Sequence, residues 1–280
     1  MDKPRFDAAY DRFIVETPSV ESREYYVRYK PRYRRSLAML CEQPLPHPAN
    51  ILEIGGGQIA MLMHLLFGDH ATVADLDESH RDGIVEKGIE FRQCDLLHDD
   101  LPERGCYDAV VLCEVIEHMP VPPYQVLGKV WQWLRPGGLL FLTTPNLYRV
   151  RNLARMMAGM RVLDPFLIPD RGQPIGHPLE YGPAHLRWHL ETAGFGDVKV
   201  KLRQLDNAGA TPQSRVARVL SSPLMLRPLW RDKLVAFARR RETNGASDKA
   251  CDPLKANGDW LNKQPAGLSN ERYSETHDAG

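Results

Sequence analysis

The sequence predicts an α/β fold, a mostly parallel sheet with helices on both of its faces. Three observations carry that reading. Between residues 49 and 205 short apolar runs alternate with helical patterns. The run Tyr107-Asp108-Ala109-Val110-Val111-Leu112 is nearly continuous in apolar residues, as a strand covered on both faces must be. The turns after these runs collect glycines and acidic residues, at the carboxyl ends where parallel sheets bind ligands.

The elements follow in order. Residues 1–48 are polar and rich in Tyr and Arg, and are read as an N-terminal helical cap. They close in Pro44-Leu45-Pro46-His47-Pro48, so a helix should end near Cys41. Residues 50–54 form the first strand and run into Gly55-Gly56-Gly57, after which a helix covers 59–67. Residues 71–74 make a second strand ending at Asp75, and 89–93 a third ending at Asp95. The fourth strand is 107–112. A helix over 124–134 is stopped by Arg135-Pro136-Gly137-Gly138, and 139–143 is the fifth strand. A further helix spans 183–192. Val198-Lys199-Val200-Lys201-Leu202 alternates as a half-exposed strand, with 233–239 as its antiparallel partner. Residues 242–280 lack apolar periodicity and are expected to form a disordered tail after a domain spanning 49–241.

Composition narrows the function. Lys+Arg and Asp+Glu each number 36 in 280 residues, and this zero net charge argues against a generic polyanion binder. No apolar run reaches the length of a spanning helix, and Met1-Asp2-Lys3-Pro4-Arg5 is not followed by a secretory apolar core. The five cysteines include no C-x-x-C pair, which excludes a zinc ribbon and fits a reducing cytoplasm.

Gly55 and Gly57 sit in a strand-to-helix turn, where glycine permits a tight turn and a close approach to a ligand. On that reading Gly57→Val would fill ligand space. Asp75, at the end of the next strand, is placed to accept hydrogen bonds from both hydroxyls of a ribose. Gly55-x-Gly57-x-x-Ala60 also satisfies the relaxed dinucleotide fingerprint, so the turn leaves two cofactor classes open. Further features separate them: Glu53 before the first glycine, Cys94-Asp95 after the third strand, Glu114-Val115-Ile116-Glu117-His118-Met119-Pro120 after the fourth, and Leu134-Arg135-Pro136-Gly137-Gly138 before the fifth.

Together these motifs resemble class I S-adenosylmethionine-dependent methyltransferases, in the group that includes ubiquinone-type O-methyltransferases, over about residues 48–205. The resemblance implies a Rossmann-like seven-stranded, mostly parallel sheet with the last strand antiparallel, and S-adenosylmethionine as cofactor. It also implies residue roles. Glu53 would contact the methionine amino end, Gly55 and Gly57 are the motif glycines, Asp75 is the ribose acid, Asp95 meets the adenine amino group with Leu96 alongside the ring, and Glu114 lines the methionine and the acceptor. Ile59 stands where the family often has a third glycine.

The acceptor end rests on Glu114, Glu117, His118 and His177. A helix starting at Glu114 would put the first three on one face. Three readings stay open: side chains facing the acceptor, with His118 as general base; a divalent metal held by all four, as the resemblance to magnesium-dependent ribose methyltransferases of small-RNA 3′ ends implies; or structure alone. The metal-free version is the expectation. The Arg- and Met-bearing stretch within 146–182 is either an acceptor lid or a helical excursion. Tyr25-Tyr26-Val27-Arg28-Tyr29-Lys30-Pro31-Arg32-Tyr33 either touches the acceptor or is an amphipathic helix with its tyrosines turned inward. Residues 206–230 are an insert before the last strand, and the basic stretch 215–241 is either a solvated face or a peripheral membrane contact. The functional expectation is methyl transfer to a hydroxyl of a small molecule or saccharide precursor. The alternatives are an RNA ribose methyltransferase, a non-catalytic cofactor-binding module and a dinucleotide oxidoreductase.

Overall fold

The structure is a computed structural model, and it describes residues 2–101, 103–165, 176–206 and 227–241. Seven strands form one sheet: β1 Asn50–Ile54, β2 His70–Asp75, β3 Glu90–Gln93, β4 Tyr107–Cys113, β5 Leu134–Pro145, β6 Phe195–Arg203 and β7 Lys233–Arg240. Their order across the sheet is β3-β2-β1-β4-β5-β7-β6. Strands β1 to β5 pair in parallel, while β7 runs antiparallel to both β5 and β6. This is the Rossmann-like sheet that the sequence implied.

Alternation within the central strands builds two cores. Along β4, Ala109 and Val111 face one side and Val110 and Leu112 the other, all fully buried. The first side is covered by α1 Lys3–Tyr10, α2 Arg23–Cys41 and α3 Gln58–Phe67, through Phe6, Tyr10, Tyr26, Leu37 and Met61. The second is covered by α5 Pro123–Trp133 and α7 Pro183–Thr192, through Val126, Val130, Trp133, Leu186 and Leu190. Among the described residues the remaining α-helices are α4 Arg81–Val85 and α6 Val150–Met157.

One boundary differs from expectation, the start of the fifth strand. Strand β5 begins at Leu134, pairs there with Tyr107, and absorbs the Arg135-Pro136-Gly137-Gly138 stop as an irregularity in its ladder. The stretch 25–33 lies within α2, which starts from a Ser22 cap whose hydroxyl accepts from the Tyr25 backbone N–H at 3.2 Å. Tyr26 and Tyr33 of that helix turn into the first core, as the amphipathic reading expected.

Most of the insert before β7 (207–226) and the tail (242–280) lie outside the described residues, as does much of the basic stretch read as a membrane contact. Among the described residues no helix is long and apolar enough to cross a membrane.

Candidate active site

At the carboxyl end of β1 the chain turns through Gly55, Gly56 and Gly57, with φ of +74°, +67° and +86°. Three successive left-handed residues are accessible without strain only to glycine. The turn is pinned by Gly55 N–H donating to the Ala74 carbonyl at 2.8 Å and by Gly56 N–H donating to Asp75 Oδ2 at 3.0 Å. The other Asp75 oxygen accepts from the Asp77 N–H at 2.9 Å. A carboxylate has lone pairs for about four donors, so Asp75 keeps capacity for two hydroxyls.

Gly57 does a different job from the one expected of it. A Cβ there would stand 2.5 Å from Val73 Cγ2, a core side chain of β2. Its missing side chain makes room for helix–sheet packing rather than for a ligand. Glu53 is 2% exposed, and its Oε2 accepts from the Ala60 N–H at 2.6 Å at the start of α3. Burial pushes its pKa up to about 8, against the pull of the Ala60 and Ile59 amides.

Glu53, Gly55, Gly56 and Asp75 form one wall of a pocket of about 240 Å³. Cys113, Glu114, Val115 and Thr143 supply the floor from the ends of β4 and β5, and Tyr25, Arg32, Tyr33 and Ser36 supply the opposite wall from α2. Gln58 ties the walls together, donating to the Tyr26 hydroxyl at 2.8 Å and to the Gly56 carbonyl at 2.9 Å. Asp95 and Leu96 lie outside this lining. Asp95 accepts from the Leu97 N–H at 2.9 Å and contacts the His98 ring at 2.8 Å, while Leu96 is buried in the core beneath α5.

Glu114 departs from the expected helix. Its φ is +58°, and its N–H donates to the Thr143 carbonyl at 2.8 Å, extending the β4–β5 ladder. A 3-10 turn begins only at Ile116 and covers Ile116–His118. Glu114 therefore does not share a face with Glu117 and His118. Its carboxylate accepts from the Lys233 ammonium and from Thr143 Oγ1 at 2.9 Å, and Arg32 stands 3.6 Å away. Burial alone would raise its pKa, but Lys233 and Arg32 outweigh it and hold the group down at about 2. Lys233, buried at the start of β7, also lies 3.6 Å from Asp206.

The other three acceptor-end residues do converge. The His118 and His177 rings meet edge to face with centroids 4.6 Å apart, and one ligand atom from each of Glu117, His118 and His177 lies within 4.8 Å of the others. Glu117 is fully buried. Its Oε2 accepts from Thr144 Oγ1 at 3.0 Å and its Oε1 has no hydrogen-bond partner. Burial and the neighbouring Glu114 charge raise its pKa to about 8. His118 Nδ1 lies 2.9 Å from the Gly176 carbonyl. A carbonyl only accepts, so Nδ1 carries the proton and the neutral ring leaves the Nε2 lone pair free. Burial lowers the His118 pKa below its ordinary 6.5.

The family model for the methyltransferase domain matches residues 24–200, more than half of the chain. The chain belongs to that methyltransferase family. It carries a class I S-adenosylmethionine-dependent methyltransferase domain, and S-adenosylmethionine is the cofactor. The rat mitochondrial ubiquinone biosynthesis O-methyltransferase (Rattus norvegicus) is 38% identical over 65 residues, 23% of this chain and 19% of that protein. The mouse protein of the same name (Mus musculus) is 28% identical over 128 residues, 39% of this chain and 34% of that protein. The matched stretch thus spans 34% or less of the length of these relatives. An S-adenosylmethionine-dependent methyltransferase from Archaeoglobus fulgidus superposes with a TM-score of 0.50 at 18% identity, over 77% of this chain and 99% of that one, a likeness of fold.

The pocket fits that cofactor by its chemistry. Unspent acceptor capacity on Asp75 suits a ribose, Glu53 presents a carboxyl that burial holds largely protonated, and Glu114 borders the same space already paired with Lys233 and Arg32. Lys233, Thr143 and Gln58 were not singled out from sequence, although Lys233 has one visible signal, a charge immediately before the apolar run Leu234-Val235-Ala236-Phe237-Ala238.

Proposed function

We propose that this methyltransferase transfers the methyl group to a hydroxyl of a small molecule or saccharide precursor, with His118 as general base. The observation that carries this is the state of His118. Its Nδ1–H is spent on the Gly176 carbonyl and its depressed pKa keeps it neutral near pH 7, so Nε2 is ready to take a proton. It stands four residues beyond Glu114, which lines the cofactor pocket. His177 packs against it and Glu117 lies beside it. S-adenosylmethionine supplies an already activated methyl on its sulfonium, so the protein's own contribution is positioning and proton removal. On this reading Asp75 and Glu53 hold the cofactor with Gly55, and Asp95, which follows β3 beyond the pocket lining, is the candidate for the base end, while Leu96 belongs to the core. The partial identity to proteins named as ubiquinone biosynthesis O-methyltransferases supports an oxygen acceptor.

A second reading is favoured by one observation. Three acceptor atoms, from Glu117, His118 and His177, converge, and Glu117 Oε1 has no donor. A divalent ion would satisfy them and lower the pKa of an acceptor hydroxyl. Glu114 would not be its fourth ligand, because Lys233 already occupies that carboxylate. An RNA ribose is the less favoured hydroxyl, since the chain carries no net charge.

The test is transfer of labelled methyl from S-adenosylmethionine to a panel of phenols, catechols and sugar nucleotides. His118→Ala should lower turnover by about 10²–10⁴-fold and leave cofactor affinity unchanged. Exhaustive chelation should leave turnover intact on the first reading and abolish it on the second. Unchanged turnover in His118→Ala would defeat both.

A further inference from the structure

His177 reaches the site from beyond the stretch 146–165, and its setting shows how. Its backbone is clamped in both directions by Asp164: the Asp164 N–H donates to the His177 carbonyl at 3.0 Å, and the His177 N–H donates to Asp164 Oδ2 at 3.0 Å. Its ring faces Glu180, with Nδ1 3.5 Å from Oε1. Glu180 is 5% exposed. A carboxylate that deep needs donors, and α6 brings them: Arg149, at its N-terminus, donates to Oε1, and Asn152 Nδ2 donates to Oε2 at 2.5 Å. Asn152 is itself fully buried and also donates to the Leu147 carbonyl at 3.0 Å. The next residue, Tyr181, is fully buried with its hydroxyl on the Ile116 carbonyl at 3.1 Å, at the start of the turn that carries Glu117 and His118. Neither the motif reading nor the family assignment gives Glu180, Arg149 or Asn152 a part in the chemistry.

We propose that Glu180 is a positioning residue: held by Arg149 and Asn152, it fixes the proton of His177 on Nδ1 and so turns the Nε2 lone pair of that ring toward His118 and Glu117. An ionised carboxylate beside Nδ1 repels a lone pair there and attracts an N–H. The Arg149 guanidinium paired with Oε1 and the Asn152 amide donating to Oε2 supply the buried carboxylate with a counter-charge and a donor on each oxygen. Both histidines then present the same tautomer, one fixed by the Gly176 carbonyl and the other by Glu180, in a cluster where one ligand atom from each histidine and from Glu117 lies within 4.8 Å of the others. The segment 146–164 thereby acquires a definite task, holding the carboxylate that orients the second histidine. The inference rests on the reading of His177 as part of the acceptor site.

The experiment reads the tautomer directly. The full chain is labelled with 15N-histidine, and long-range 1H–15N spectra are recorded above the imidazole titrations, with the His177 signals assigned by their loss in His177→Gln. The parent should show His177 predominantly as the Nδ1–H form. Glu180→Gln should invert the ratio toward Nε2–H, and Glu180→Asp should restore the parent pattern. A parent ring protonated on Nε2, or a ratio unchanged in folded Glu180→Gln, overturns the proposal. Should Glu180→Gln fail to fold, the parent spectrum together with Glu180→Asp decides. The readout needs no methyl acceptor. A failure of His118→Ala to lower turnover would therefore remove the proposed chemistry without touching this result, and a wrong tautomer would remove this inference without touching the chemistry.

Discussion

Replacing Lys233 with methionine isolates the charge network that closes the pocket floor. Methionine matches the length of the lysine stem and deletes only the ammonium. In the parent that ammonium sits on Glu114 Oε2 and 3.6 Å from Asp206, with side-chain exposures of 6% for Lys233 and 19% for Glu114. Removing one partner of a buried pair costs about 3–5 kcal/mol, because the other charge stays desolvated. Arg32 remains 3.6 Å from the same Glu114 oxygen, which places the expected loss near the low end, about 3 kcal/mol. For a domain of about 150–250 residues this lowers the melting temperature by about 6–12 °C. The loss should depend on pH with a definite sign. The folded pKa of Glu114 is about 2 against an ordinary 4.5. A depressed carboxylate contributes stability above its unfolded pKa and loses it as the pH falls from 4.5 toward 2. The gap between parent and Lys233→Met should therefore be widest near neutral pH and shrink in acid. Scanning calorimetry at several pH values, with Glu114→Gln and the double variant completing a cycle, measures it. A Lys233→Met protein that melts within a degree of the parent at neutral pH, or a coupling near zero, refutes the reasoning.

Asp75→Ala should weaken S-adenosylhomocysteine binding by about 1.5–3 kcal/mol, a factor of about 10–150 by titration calorimetry, because two hydroxyls lose a charged acceptor; parental affinity would move the cofactor site elsewhere. Gly57→Val should destabilise the fold by about 2–5 kcal/mol, since its Cβ stands 2.5 Å from Val73 at a φ of +86°. Gly68→Ala, with φ +74° and nothing within 4 Å, should cost only about 1 kcal/mol of conformational preference, and equal melting shifts for the two would contradict the packing account. Glu117→Gln should gain stability relative to the parent as the pH rises. Glu117 is held protonated to about pH 8, so its contribution is complete below 4.5 and is lost as the pH climbs through 8. A parent-minus-variant melting difference that stays flat across that range would show that the raised pKa is wrong.

The sequence by itself determined the sheet. Continuous apolar runs such as β4 can be stable only when covered on both faces, and glycines and carboxylates after β1, β2 and β3 mark strand ends whatever the distant packing does. The ends of α2 at Cys41 and of α7 at Thr192 were legible for the same reason, because Pro and Gly act locally. The three-dimensional structure alone decided the direction of individual side chains at the site. Spacing put Glu114, Glu117 and His118 on one helical face, but the positive φ of Glu114 and the Lys233 ammonium turn that carboxylate into the pocket floor. The partners responsible, Arg32 and Lys233, lie 82 and 119 positions away from Glu114 along the chain. No local pattern encodes such a meeting. It arises because β7 lies beside β5 and because α2 covers the ends of the central strands, and ion pairs buried there take whichever opposite charge the fold brings within reach. Gly57 shows the same division: the motif foretold a glycine with a left-handed backbone, and only the packing of α3 against β2 revealed that Val73 fills the space beside it.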